Sequence, residues 1–393
     1  MRLAFVVQRY GEEVAGGAEA LCRSTARALT AGGDAVDVFT TTARDYLTWA
    51  PHYGEGVERD GPVVVRRFYA ERPDPGRSGD LVRSLALGGG SPEAEAAWAR
   101  AQGPVAPGLL RALEERAEGY EAVALWTYLY ATTQLAIGSV RERSVLVPLA
   151  HDEPMLRFGI TRAVVREAAG LAFMTPEERR LVHDLHGGGD RPEAIVGAGL
   201  DPAPPGDGAR ARAALRLPPR FALYLGRVDQ AKGVDALVRA HERYRRAGGP
   251  LGLVLAGRAA GGLRLPRWAV TTGFVDGATR ADLLDAAQVV VLPSPHESLS
   301  LVALEAWRAG RPTLATTRSE VLAGQSARAG GGLLYDDALS YARQLSRLAS
   351  DPELRAMLGG RGARFAATQT WDACARRWRA LLARVRRPVA ARS

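Results

Sequence analysis

Short apolar runs alternate with segments of helical periodicity over most of the chain. Ten of these runs are rich in β-branched and aliphatic residues and end at turn residues, so they predict strands. The predicted strands span residues 3–7, 36–40, 63–68, 122–126, 145–149, 171–175, 221–225, 253–256, 289–292 and 313–316. Buried strands separated by helices are typical of parallel sheets covered on both faces. The pattern therefore predicts an α/β protein.

A Pro- and Gly-rich stretch, residues 201–220, interrupts this pattern between the sixth and seventh strands. Turn-forming residues at this density favour a domain boundary. At 393 residues the chain is also too long for one ordinary core. We predict two Rossmann-like domains with a cleft between them, the first covering residues 1–200 and the second residues 201–365.

The last segment, residues 366–393, is predicted to carry a terminal helix. Apolar residues recur at helical spacing in WDACARRWRALLARV. We favour packing of this helix back on the N-terminal domain. In the alternative, its arginine-rich face lies on an anionic membrane surface.

Composition narrows the class of protein. No apolar run reaches the roughly 18 residues of a membrane span, and the N-terminal MRLAFVV is too short for a signal-peptide core and predicts a strand. Cys22 and Cys374 form no disulfide framework, which favours a reducing cytoplasm. We expect a cytoplasmic protein, with peripheral contact with the inner face of the membrane as an open alternative.

The net charge of +9 reflects scattered arginines among acidic residues, a composition typical of a GC-rich bacterial genome. A scattered distribution does not predict a nucleic-acid partner. Of the 52 basic residues, 51 are arginine and one is Lys232. A single lysine in such a chain indicates a position that needs a compact ammonium group.

The first candidate site follows the predicted strand 221–225, in the sequence LGRVDQAKGVDALVRAH. Gly226 permits a tight turn, and an amphipathic helix follows. Arg227 and Lys232 therefore project from a loop at the carboxyl end of a parallel strand, where open α/β sheets bind ligands. Two cations beside a helix N-terminus suit a diphosphate. A solvated loop with two surface cations is the alternative interpretation.

The second candidate site, PSPHESLSLVALEAWRAGRP, begins where the predicted strand 289–292 ends. A helix is expected from about residue 300 to 309, with Glu297 just before it and Glu305 within it. Carboxylates on either side of an anion site can accept hydrogen bonds from hydroxyl groups. One carboxylate would bind a transferred sugar and the other a ribose. Alternatively, Glu305 is a solvated helix residue.

Between the two carboxylates, four backbone amides are expected to be free and to bind an anion at the positive end of the helix dipole. These amides belong to Ser298, Leu299, Ser300 and Leu301. Alternatively, Ser298 or Ser300 is a plain N-cap.

Together, GRVDQAKG and PSPHESLSLVALEAWRAGRP resemble the donor-site signature of retaining GT-B glycosyltransferases of family 4, the glycosyl transferases group 1. The shared features include the Glu–x7–Glu spacing of Glu297 and Glu305. TGFVDGATRADLLDAAQVVVLPS resembles the nucleobase-side segment of that family, and GGLLYDD with DPELRAMLGGRGARFAATQTWD its closing segment. The resemblance is strong over about residues 220–375 and looser before that.

The resemblance implies a GT-B fold, with an acceptor-side N-terminal domain facing a nucleotide-sugar-binding C-terminal domain. Arg227 and Lys232 would bind the diphosphate. Glu297 would contact the donor sugar, Glu305 the ribose hydroxyls, and the backbone near Phe274 the base. Many members of that family have Glu-Gly-Phe-Gly where this chain has ESLS at residues 297–300. The additional side chains of this chain narrow the donor site.

Two segments in the N-terminal half match the same family less specifically. Gly16 and Gly17, in GGAE, open a helix after the first strand, and relatives place such a loop against the diphosphate and acceptor. A plain helix start is the alternative. His151, in PLAHDEP, matches a histidine near the reacting sugar, with Asp152 expected to orient it. Without a second histidine at ligand spacing, no metal site is predicted.

The predicted activity is a metal-independent, retaining, hexosyltransferase-type transfer. A glycosyl group moves from a nucleoside diphosphate sugar to an acceptor hydroxyl on a glycan, a lipid-linked acceptor or a small molecule, without a cofactor. The sequence contains no Asp-x-Asp motif, no P-loop and no nucleophile elbow. No Gly-x-Gly-x-x-Gly motif follows the first strand. The alternatives are a sugar-nucleotide epimerase of GT-B fold and a non-catalytic sugar-nucleotide-binding protein.

Overall fold

The computed structural model describes residues 1–14, 16–88, 90–259 and 262–386. The chain divides into two compact units. The first comprises Met1–Gly199 together with the C-terminal segment from Trp371, and the second comprises Leu200–Thr370. The stretch 201–220 thus lies at the start of the second unit, and its residues Gly208–Leu215 form a helix.

The first unit holds an eight-stranded sheet of order β3-β4-β2-β1-β5-β6-β7-β8, parallel except for β3 against β4. Its strands are β1 (Arg2–Val6), β2 (Ala35–Thr41), β3 (Gly56–Asp60), β4 (Val63–Phe68), β5 (Ala122–Trp126), β6 (Ser144–Val147), β7 (Gly170–Phe173) and β8 (Glu193–Ile195). The central strands β1, β5, β6 and β7 are almost fully buried.

The second unit holds a parallel six-stranded sheet of order β11-β10-β9-β12-β13-β14. Its strands are β9 (Phe221–Leu225), β10 (Gly252–Ala256), β11 (Val270–Gly273), β12 (Val289–Leu292), β13 (Thr313–Thr316) and β14 (Gly332–Tyr335). Alternate residues of β9 enter separate cores on opposite faces, Leu223 in one and Ala222 in the other. This double burial explains the near-continuous apolar strands in the sequence.

Helices connect most of these strands in the described part of the chain. They are α1 (Gly17–Ala31), α2 (Pro75–Ala86), α3 (Pro92–Gln102), α4 (Pro107–Arg116), α5 (Ala131–Gln134), α6 (Ile137–Val140), α7 (Gly159–Glu167), α8 (Pro176–His186), α9 (Gly208–Leu215), α10 (Val234–Arg246), α11 (Gly277–Ala286), α12 (Leu301–Arg308), α13 (Glu320–Ala329), α14 (Ala338–Ser350), α15 (Pro352–Ala367) and α16 (Trp371–Val385).

The chain order of each sheet reverses at one place. In the second unit the chain runs outward from β9 through β10 to β11 and then returns to β12 on the other side of β9. In the first unit the corresponding place is between β1 and β5. Loops diverge at such a switch point and leave a crevice at the carboxyl ends of the strands. The loop of Lys232 and the turn of Glu297 follow β9 and β12, so both lie at the switch point of their unit.

The C-terminal helix α16 packs on the first unit. Trp378 is fully buried and stacks on Trp126, with ring centroids 5.9 Å apart. Arg379 forms an ion pair with Asp34 (Nε to Oδ2, 2.7 Å). The apolar face of the helix is therefore covered by the first unit.

Among the residues that the structure describes, no helix is both long and apolar enough to cross a membrane.

Candidate active site

The loop after β9 is shaped by its own hydrogen bonds. Tyr224 donates its hydroxyl hydrogen to the carbonyl oxygen of Arg227 at 2.6 Å. Asp229, which is 8% exposed, accepts the backbone N–H of Lys232 at 2.8 Å. Gly226 adopts φ +144° where the strand ends. These contacts fix the direction in which the loop presents its two cations.

This loop lies directly against the end of β12. A Cβ atom on Gly233 would lie 2.4 Å from the carbonyl oxygen of Pro293, and φ at Gly233 is +73°. Only glycine allows this approach without displacing backbone. This close contact places the neighbouring Lys232 beside the turn that follows β12.

Lys232 and Glu297 form an ion pair at this junction. The Lys232 Nζ donates to Oε1 of Glu297 at 3.0 Å, and the two side chains are 33% and 19% exposed. The sequence predicted both residues in one site, and the structure places them in direct contact. Partial burial shields the pair from water, so its charges interact more strongly than an exposed surface pair.

Arg227 takes a different partner. Its Nε donates to Oδ2 of Asp229, so Asp229 joins the arginine to the loop backbone. Sequence reasoning did not select Asp229, although its place between the two cations, in GRVDQAKG, was a visible signal.

The turn into α12 departs from the prediction. Ser300 is the N-cap and accepts the Ala303 N–H at 3.2 Å. The N–H of Ser300 is not free, because it donates to Oε1 of Gln325 at 3.1 Å, and Gln325 donates in turn to the Ser300 carbonyl oxygen at 3.0 Å. The prediction of four free amides is therefore wrong at Ser300. Gln325 lies on α13, 25 residues away, and no local pattern connects the two.

Glu305 lies on α12 and pairs with Arg280 of α11, whose Nη2 donates to Oε2. Burial raises the pKa of Glu305, while the charge of Arg280 acts in the opposite direction. Glu305 is thus a half-buried residue and not a solvated one, with its side chain 20% exposed. Sequence reasoning missed Arg280, because one arginine among 51 carries no distinguishing signal.

Phe274 follows the edge strand β11 and is 70% exposed. Gly273 before it has φ +72°. The nucleobase was predicted to contact the backbone near this residue, and that role stays a prediction.

In the first unit, Gly16 is the N-cap of α1, and Gly17 is its first residue. A Cβ atom on Gly16 would lie 2.0 Å from Oε2 of Glu19. Glu19 is 4% exposed and pairs with Arg9 (Oε1 to Nη2, 2.5 Å). Glycine at position 16 therefore leaves room for a buried ion pair beneath the start of the helix, a reason that the sequence did not reveal.

His151 lies on the loop after β6, with its side chain 31% exposed. Its Nδ1 is 3.9 Å from Oε1 of Glu153, and Glu153 accepts the hydroxyl hydrogen of Tyr128. Asp152 pairs with Arg157 at 2.6 Å, so the expectation that Asp152 orients His151 is wrong. The carboxylate beside the His151 imidazole is that of Glu153.

Across the described ranges, no group of three or more His, Cys, Asp or Glu side chains has a geometry that could hold a metal ion.

Sequence comparison supports the interpretation of the second unit. Residues 219–351 match the family model for glycosyl transferases group 1. A D-inositol 3-phosphate glycosyltransferase of Kineococcus radiotolerans is 34% identical over 255 residues, which are 57% of this chain and 59% of the relative. A protein of the same name from Stackebrandtia nassauensis is 27% identical over 398 residues, 93% of this chain and 86% of the relative. The first match thus spans about three fifths of that relative's length.

Solved structures match the fold of this chain over nearly its full length. Sucrose-phosphate synthase from Thermosynechococcus elongatus superimposes with a TM-score of 0.72 at 21% identity, covering 97% of this chain and 99% of that one. The trehalose-phosphate synthase of Burkholderia vietnamiensis gives 0.69 at 16% identity, covering 98% and 100%. The Anabaena protein HepE, solved with UDP and glucose, gives 0.69 at 16% identity, covering 98% and 99%. These neighbours are GT-B glycosyltransferases, which confirms the predicted fold class. The chain therefore has the GT-B fold, and its residues 219–351 match the glycosyl transferases group 1.

Proposed function

We propose that this protein transfers a glycosyl group from a nucleoside diphosphate sugar to an acceptor hydroxyl, with retention of anomeric configuration and without a metal ion or other cofactor. The observation that carries the proposal is the Lys232–Glu297 pair at 3.0 Å, located at the switch point of the second sheet. A cation and a hydroxyl-binding carboxylate adjoin there. That combination suits a sugar joined to a phosphate.

The proposed chemistry is mainly electrostatic. The bond between the anomeric carbon and the diphosphate oxygen breaks, the acceptor oxygen bonds to the same face of that carbon, and the acceptor proton passes to the departing oxygen. Lys232 and Arg227 would stabilise the charge that develops on the diphosphate. Glu297 would then hold a hydroxyl group of the sugar, and Glu305 the ribose hydroxyls.

The identities of the donor and of the acceptor are more specific proposals. HepE is described with UDP and glucose, so UDP-glucose is the first donor to test. The curated relatives are named for D-inositol 3-phosphate, so we propose this polyol phosphate as the first acceptor. Glycans, lipid-linked acceptors at a membrane surface and other small molecules are the alternatives.

Nucleotide binding is tested by thermal shift with UDP, GDP, ADP and their glucose conjugates. The matching nucleotide at about 100 times its Kd should stabilise the native state by about 2.7 kcal/mol. Lys232→Ala should reduce this shift, while Arg246→Ala, a change in an exposed pair with Glu242, should not. Absence of a shift with every nucleotide would contradict the proposal.

Product analysis separates the reaction from its alternatives. With labelled donor and acceptor, transfer gives a glycosylated acceptor whose anomeric configuration, read by NMR, matches the donor. An epimerase returns a free sugar nucleotide with a changed sugar. A non-catalytic protein leaves the donor intact, and inversion would contradict retention.

Arg280→Ala is expected to raise the KM for the donor at least about tenfold with kcat changed much less, since a hydrogen bond to a charged group contributes about 1.5–3 kcal/mol. The reason is that Glu305 loses the guanidinium that orients it, and loss of uniform binding appears in KM. Steady-state kinetics at varied donor concentration measures the effect. Arg246→Ala is the matched control. An unchanged KM in Arg280→Ala would remove Arg280 from the site.

A further inference from the structure

The backbone just before His151 has an unfavourable conformation. Leu149 has φ +52°, in the left-handed region that side chains other than glycine, asparagine and aspartate rarely adopt. Such a conformation persists only where the surrounding contacts impose it. Some group must therefore hold the segment 149–151 in place.

Glu178 supplies that contact. It lies in the first turn of α8, is fully buried, and accepts two backbone hydrogens with separate oxygens. Oε1 accepts the Ala150 N–H at 2.8 Å, and Oε2 accepts the Met174 N–H at 2.6 Å. One carboxylate thus links the loop after β6 to the end of β7.

We propose that Glu178 is a positioning residue for His151, holding the loop of residues 149–151 through its carboxylate so that the imidazole is presented in one orientation. The proposal rests on the proposed function, together with the expectation from the family resemblance that His151 lies near the reacting sugar. The Ala150 amide is the link, because it lies between the strained Leu149 and His151.

Both oxygens of this group must accept a hydrogen. A carboxylate does so, whereas protonation converts one oxygen to a hydroxyl donor, and a glutamine replaces one with an NH2 group. Either change places a donor against a backbone N–H and weakens one of the two contacts. The loop at Ala150 or the end of β7 at Met174 is then released.

Burial raises the pKa of Glu178 to about 7, against the amide hydrogen bonds that lower it. On the β5 side, Glu178 faces Tyr128. Burial and the charges of Glu153 and Glu178 raise the pKa of Tyr128, and the charge of Arg157 lowers it. Glu177 precedes Glu178 on α8, and His151 follows Ala150 on the loop. The contact to Ala150 should therefore strengthen as the pH rises through about 7.

The test compares the wild-type protein, Glu178→Gln and Asp184→Asn, an exposed carboxylate-to-amide change on the same helix. At pH 8, hydrogen exchange resolved to single amides should show faster exchange of Ala150 or Met174 in Glu178→Gln only. If both amides keep wild-type protection, the proposal is overturned, whether or not transferase activity has been found. If Glu178→Gln does not fold, the protection of these amides in the wild-type protein, corrected for intrinsic rates, must rise from pH 6 to pH 8.

Activity supplies a readout that a merely structural role would not change. Because misplacing a reacting group by about 1 Å can cost about 100-fold, we expect kcat at pH 8 to fall at least about tenfold in Glu178→Gln with donor KM nearly unchanged. The rise of wild-type kcat through about pH 7 should be absent in this variant. A normal kcat with only a lowered Tm, or an unchanged pH profile, would overturn the proposal. Absence of transfer by the wild-type protein would contradict the proposed function instead, and the exchange result would still decide the role of Glu178 in the loop.

Stability gives an independent check on the titration. Between the ordinary carboxyl pKa of 4.5 and about 7, the native state retains a proton that the unfolded chain has released. Wild-type Tm relative to Glu178→Gln should therefore fall as the pH rises through this window and be constant above it. A constant difference from pH 4.5 to 8 would contradict the pH-dependent part of the proposal.

Discussion

Lys232→Ala is expected to lower kcat by at least about 100-fold, the loss typical of removing one stabiliser of developing negative charge. The ammonium group lies 3.0 Å from Oε1 of Glu297. It is supplied by a loop that Asp229 and Gly233 hold against the end of β12. Initial rates with saturating donor and acceptor measure the effect.

Two variants make this result specific to Lys232. Lys232→Arg keeps the charge but replaces a compact ammonium by a planar group, so only partial activity should return. Arg239→Ala on α10 removes a side chain that is 70% exposed and paired within its own helix, and it should leave kcat near the wild-type value. Near-normal turnover of Lys232→Ala would exclude the diphosphate role.

Glu297→Gln is expected to show a loss of similar size, at least about 100-fold in kcat, if the carboxylate contacts the donor sugar as the reaction proceeds. Glutamine keeps the shape and one oxygen acceptor, but it loses the charge that attracts Lys232 and accepts strongly from a sugar hydroxyl. The measurement is again kcat and donor KM. Glu242→Gln, in an exposed pair on α10, is the control.

The two residues should also be coupled. Because they are in contact, the effects of Lys232→Ala and Glu297→Gln should not add in the double variant. A double-mutant cycle on kcat/KM measures the coupling. Additive losses, or near-normal turnover in both single variants, would remove this pair from the proposed active site.

The edge strands show what the sequence pattern misses. The ten predicted strands are all present, with each end within two residues of its predicted position, whereas β3, β8, β11 and β14 were missed. These four are the edge strands of the two sheets. Interior strands are buried on both faces and must be apolar throughout, but an edge strand such as Gly56–Asp60 is mostly exposed and has no such constraint.

The segment 201–220 contains a helix that the sequence pattern did not indicate. Its Pro and Gly content indicates turns, yet residues Gly208–Leu215 form α9, capped by the side chain of Asp207. Gly208 donates its N–H to Asp285 of α11 at 2.9 Å. Packing on α11 thus places this helix inside the second unit, which weak local propensity did not indicate.

The amino-acid sequence by itself determined the α/β class, the interior strands and the two loops that carry Lys232 and Glu297, since burial and turn chemistry are written in local patterns. Only the tertiary structure decided which side chains meet. Lys232 and Glu297 are 65 residues apart, Arg280 and Glu305 are 25 apart, and Glu178 is 28 from Ala150. These contacts depend on strand order, above all on the return of β12 to the side of β9. Strand order is set by the packing of the whole sheet, and no short stretch of sequence contains it.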